Sequence, residues 1–88
     1  MKVNPNVIHR NVAGEDMLIP VNETAQNHNG LFVLTSTGAE IWEMLAEEKT
    51  VDEIVAAISE EYGVDEETVR ADVKALIAKL LKMGLLEV

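Results

Sequence analysis

Apolar residues change their spacing about a third of the way along the chain. Up to Thr35 they come in short runs: VIHRNVA (7–13) alternates imperfectly, DMLIPVN (16–22) is briefly apolar, and GLFVLT (30–35) is denser. Runs of this length between turn residues predict three strands. Gly14-Glu15-Asp16 reads as a tight turn between the first two. Asn29-Gly30, a pair suited to positive φ, reads as the end of a hairpin connection before the third. Pro20 has no amide to donate, which points to an edge position or a bulge in the second strand. Leu31, Phe32, Val33 and Leu34 in the third strand are all apolar, so both of its faces need cover. The helices can supply one face; the other face, or the open edge, needs something more.

After Thr35 the apolar positions recur every three or four residues, and three helices are predicted. Thr35, Ser36 and Thr37 are candidate N-caps, and Thr37 with Glu40 has capping-box spacing. The first helix carries Ile41, Trp42, Met44 and Leu45 to about Glu48, with Trp42 expected in the core. TVDE (50–53) is a second capping box, whose helix turns Ile54, Val55 and Ile58 inward and stops at Tyr62-Gly63. Asp65 or Thr68 opens the third helix, and Gly84 stands where a left-handed cap belongs. Strands first and helices after make an α+β domain over residues 1–88. Three N-terminal antiparallel strands precede a three-helix bundle, in a winged-helix-like outline.

The third helix is projected at about 100° per residue. Val69, Val73, Leu76, Ile77 and Leu80 then form one apolar stripe, read as core. Ala71, Ala75 and Ala78 line much of the opposite side, either as good helix formers or as a surface that another element approaches closely. Arg70, Lys74 and Leu81 flank the stripe on one side, and Asp72, Lys79 and Met83 on the other.

Composition narrows the function classes. Eighty-eight residues hold one small core, and 48% apolar with only 3% aromatic residues makes it aliphatic. There is no cysteine, which excludes disulfides and thiolate metal sites. No apolar run reaches membrane-span length and MKVNPNVIHRN lacks the apolar stretch of a signal peptide, so a cytoplasmic protein with no membrane partner is expected. His9 and His28 have no ligand at metal spacing, Ser36 and Ser59 sit in no nucleophile elbow, and the glycines fall singly. No cofactor and no catalysis are expected. From Glu40 to Glu67 there are eleven acidic residues against Lys49 alone, within a net charge of -9. That field repels phosphate, and the third helix has no Asn or Gln to read bases, so nucleic acid is not the expected partner.

A protein or peptide partner remains. A strand apolar on both faces beside a helix with spare surface forms a groove, to which an extended peptide can add a strand. Equally, the edge can be covered by the chain's own termini or by a second copy.

The order of residues from Leu34 onward carries a resemblance. L-x-x-T-G-A-x-I-W-x-x-L (34–45), T-V-D-E-I (50–54), Y-G-V-D (62–65), V-x-x-D-V-x-x-L-I-x-x-L (69–80) and G-L-L (84–86) resemble the PqqD family. These are the small RiPP recognition elements that serve ribosomally made, modified peptides. Thr35 departs from the Asn often found there, an exchange of one capping residue for another. The resemblance implies a non-catalytic peptide chaperone that binds the leader of a precursor peptide. It would deliver that peptide to a modifying enzyme, commonly a radical S-adenosylmethionine maturase. The leader would dock as an added strand in a cleft formed by Leu31, Phe32, Val33 and Leu34 and by Val69, Asp72, Val73, Leu76 and Lys79. Arg70, Lys74 or Lys79 would select an acidic leader, and Asp72 is the single polar residue most expected to act. The alternatives are an interaction module that forms a homodimer through the third strand, and a winged-helix regulator without its basic half.

Overall fold

A computed structural model describes residues 1–21 and 32–87. The first sheet has the order β2-β3-β4, built from Val7–Val12 (β2), Glu15–Pro20 (β3) and Phe32–Leu34 (β4), all antiparallel. Three helices follow: α1 (Ser36–Ala46), α2 (Val51–Tyr62) and α3 (Glu66–Lys82). The architecture is the expected α+β one, three antiparallel strands and then three helices. It has one addition. Lys2–Val3 (β1) pairs antiparallel with Leu86–Glu87 (β5), so the two ends of the chain form a separate two-stranded ribbon.

The β2–β3 connection differs from the Gly14-Glu15-Asp16 turn read from sequence. Val12 pairs with Glu15, and the turn is Ala13-Gly14, both at positive φ (53° and 84°). Two left-handed residues match the right-handed twist of the flanking strands, and glycine fills the second without strain. Pro20 is likewise not on an edge strand. It ends the central strand β3, past the Leu18–Phe32 pair that closes the described register with β4. The Asn29-Gly30 hairpin reading, Asn22, His28 and Leu31 lie outside the described residues.

Alternation on the sheet directs His9, Asn11, Asp16, Leu18, Phe32 and Leu34 to the inner face, and Leu18 there is fully buried. His9 Nε2 lies 3.0 Å from Asp16 Oδ1, a partner within the sheet. Against Leu18 and Leu34 pack Ile41, Trp42 and Leu45 of α1, Ile54, Val55 and Ile58 of α2, and Val69, Val73, Ile77 and Leu80 of α3. Trp42 is core, as expected.

Local chemistry sets the helix ends. Thr35 rather than Thr37 caps α1, accepting from the Gly38 amide at 3.0 Å. Thr50 and Glu53 close the expected capping box on α2, and Asp65 caps α3. At the end of α3, Gly84 (φ 74°) donates to Leu81 O and Leu85 to Leu80 O, the paired bonds of a Schellman stop. Asn4 then ties the N-terminal segment to that stop. Its buried side chain donates to Gly84 O at 2.8 Å, and its amide donates to Leu85 O at 3.0 Å.

Candidate functional site

β4 pairs with β3 along one edge only, and no described strand occupies the other. Beside that edge lies a cleft of about 580 Å³. One wall is Phe32, Val33 and Leu34; the opposite wall is Asp72, Ala75, Leu76 and Lys79 of α3. The helical period produces the second wall. With Val69, Val73, Ile77 and Leu80 buried, the residues displaced to one side of that stripe face β4. Leu76 is half-buried, as is Phe32, while Val33 remains 52% exposed.

The start of α1 lines the cleft with Thr35, Thr37, Gly38 and Ile41. A side chain at Gly38 would place its Cβ 3.2 Å from Thr35 Oγ1 and 3.4 Å from Leu34 Cδ2. Glycine there lets the helix start tightly against β4 while Thr35 caps it. These residues were read only as capping and helix signals, because their place in the cleft depends on how α1 crosses behind β4. Ala75 is the one member of the alanine row that meets this cleft.

A second, smaller pocket of about 240 Å³ opens where α1, α2 and α3 meet. It shares Thr37, Ile41 and Asp72 with the first and adds Ile58, Tyr62, Val64, Val69 and Val73. Of the residues expected to form one site, then, Phe32, Val33, Leu34, Asp72, Leu76 and Lys79 come together in the larger cleft. Val69 and Val73 are core residues that reach only the smaller pocket. Arg70 joins neither, since its Nη1 donates to Asp52 Oδ1 of α2 at 2.7 Å. Leu31 lies outside the described residues. Asp72 alone of the charged residues borders both cavities, and its side chain has no hydrogen bond or ion pair among the described residues.

The rim near Tyr62 is acidic. Tyr62 donates to Glu40 Oε1 at 3.0 Å, and Glu40 Oε2 is buried. A hydrogen bond shared with Glu40 holds the Glu61 carboxyl above the usual carboxylate range, helped by desolvation and by the Glu40 charge. For Tyr62 a bond with Thr37 lowers the phenol pKa, but donation to Glu40, desolvation and the two carboxylate charges together raise it.

Among the described residues no three His, Asp or Glu side chains gather to hold a metal ion, and no helix is long and apolar enough to cross a membrane. What this surface offers is a backbone edge with no described strand beside it, an apolar trough, and the charges of Asp72 and Lys79 on its wall.

Comparison with solved structures finds TbiB1 in complex with the TbiA(beta) leader peptide. It is 33% identical with a TM-score of 0.82, covering 99% of this chain and 95% of that one. Comparison with curated proteins finds no match. The sequence model for coenzyme PQQ synthesis protein D matches residues 17–86, a span holding both β4 and α3. On that match, and on likeness to TbiB1 over nearly the whole length of both chains, the chain belongs to the PqqD family.

Proposed function

We propose that the chain acts as one non-catalytic domain that binds the leader of a ribosomally made precursor peptide and delivers it to a modifying enzyme, a radical S-adenosylmethionine maturase in the first instance. The observation that carries this reading is the unpaired edge of β4 running beside an apolar cleft. That TbiB1, a close likeness in fold, is seen with a leader peptide supports it. The leader adds as a strand along Phe32–Leu34, its amides pairing with β4 while alternate side chains enter between β4 and α3. Each apolar side chain fully buried there contributes about 1.5–3 kcal/mol, so two or three anchors suffice for micromolar binding after the cost of ordering the peptide. Lys79, which is exposed at the cleft wall, favours an acidic residue at one end.

The test is titration of the isotopically labelled chain with the leader segments of precursor peptides encoded beside its gene. Binding at micromolar concentration or tighter is expected, with amide shifts concentrated at 32–38 and 72–79. Val33→Pro removes an amide from the three-residue strand and is expected to weaken binding about tenfold or more, with an unchanged circular dichroism spectrum. Undiminished binding by that folded variant rules out strand addition. The same open edge would also serve a second copy of the chain. Failure of every leader, together with a mass that rises with concentration and is reset by Val33→Pro, would assign the edge to a homodimer.

A further inference from the structure

The smaller pocket has walls of one kind and a rim of another. Ile41, Ile58, Val69 and Val73 make its interior aliphatic, and Asp72 stands at its junction with the larger cleft. On the far side Tyr62 is bonded to Glu40, and Glu61 lies against that same carboxylate. Of these three carboxyl groups Asp72 alone lines the cavity, and Glu40 and Glu61 lie behind its rim residue Tyr62. The ion pairs among the described residues are His9–Asp16 and Arg70–Asp52, so none of the three has a cation. A carboxylate without a cation beside a low-dielectric wall leaves a local negative field that a cation from outside relieves.

We propose that this pocket takes a lysine or arginine side chain of the docked peptide, its methylene stem against Ile41, Ile58, Val69 and Val73 and its charged head at Asp72. The inference rests on the peptide-docking reading above and adds a charge requirement to it. A long basic side chain suits both parts of the site, because its stem is apolar and only its tip is charged. An apolar side chain fills the walls and leaves Asp72 uncompensated.

The two cavities adjoin, with Thr37, Ile41 and Asp72 lining both. Along α3 the line runs from Lys79 through Leu76 and Asp72 to Val69. At about 1.5 Å of rise per residue, Leu76 and Val69 are separated by roughly 10 Å. An extended peptide covers that in about three residues at roughly 3.3 Å each. The basic residue therefore falls three or four positions from the apolar residues seated between β4 and α3. Lys79, two helical turns from Asp72, gives the groove opposite charges at its two ends and hence a preferred direction for its occupant.

The test immobilises the whole chain and pans it against phage displaying random dodecapeptides. Enriched peptides are expected to carry apolar anchors and, three or four positions away, a fixed Lys or Arg. Asp72 is exposed and unbonded, so Asp72→Lys should fold, and it is expected to replace the basic preference at that position by Asp or Glu. Glu47→Lys, an equal change of net charge at the exposed end of α1, is expected to leave the preference in place. In a selected peptide made as a free chain, norleucine in place of the lysine is expected to lower affinity about 3- to 10-fold, the range of a partly exposed pair. Peptides that fill the first cleft but show an apolar or random residue at that position, or a preference that Asp72→Lys does not move, overturn the proposal and leave peptide docking standing. Failure to enrich any peptide that shifts the 32–38 and 72–79 amides overturns docking, and the pocket's role with it.

Discussion

Two residues occupy the same backbone state with very different ease. Gly63 follows α2 at φ 66° and donates to Ser59 O, the left-handed stop that glycine favours. Glu48 follows α1 at φ 60°, where its amide bonds Leu45 O and the next amide bonds Met44 O. The geometry of the two stops demands positive φ at both positions, but only one has a residue without Cβ. A left-handed conformation costs an L-residue about 1–2 kcal/mol, partly offset because glycine loses more freedom on folding. Glu48→Gly is therefore expected to raise stability by about 0.5–1 kcal/mol. Gly63→Ala should lower it by about 1 kcal/mol, although a Cβ there meets nothing within 4 Å. Urea unfolding of the two variants checks both signs. A loss at Glu48→Gly would show that its side chain has a role beyond occupying the turn.

Between elements, the contact that stands out is α1 against the end of α2, where Glu40 and Glu61 meet. Glu61 has its pKa raised in the folded chain, so folding takes up protons there, and stability from this group is lost as pH rises through the folded pKa. Glu61→Gln mimics the protonated form. It is expected to raise the melting temperature at pH 7 and to match the parent once pH falls below the ordinary carboxylate range. Glu53 and Asp65 behave oppositely: bonds from Thr50 and Thr68 lower their pKa values, so their contribution is present at neutral pH and fades on acidification. A Glu61→Gln gain that persists at acid pH would point to packing instead of charge. The caps themselves were legible in the sequence because capping is local: TVDE and Asp65 act within one turn. The β1–β5 ribbon was not, since two-residue strands carry no period and Asn4 meets Gly84 only through the complete fold. The same division holds at the site. A 100° projection placed Asp72 and Lys79 beside the core stripe, and Leu76, which lines the cleft half-buried, within it. It could not place Asp52 on a neighbouring helix, which draws Arg70 away from the cleft.

Over the whole molecule, charge is arranged against the folded state and in favour of selectivity. Net charge is -9, eleven of the sixteen acidic residues fall between Glu40 and Glu67, and just two ion pairs form among the described residues. Compaction brings these carboxylates closer than they stand in an unfolded chain, and the repulsion is felt over a Debye length of about 10 Å at 0.1 M salt. A fold held mainly by aliphatic burial and opposed by surface repulsion should gain from screening. Sodium chloride raised from about 20 mM to 500 mM is thus expected to increase the melting temperature, by roughly 4–8 °C if screening is worth about 1 kcal/mol in a domain of this size. Glu61→Gln should show a shallower rise, because one member of the Glu40–Glu61 pair is already neutral. A melting temperature that falls with salt would mean that ion pairing stabilises the fold more than repulsion opposes it. The same repulsion disfavours polyanions at the helical surface, whereas the β4 edge has Val33 exposed and Lys79 across the cleft. The acidic body therefore costs some stability and narrows what can approach the groove.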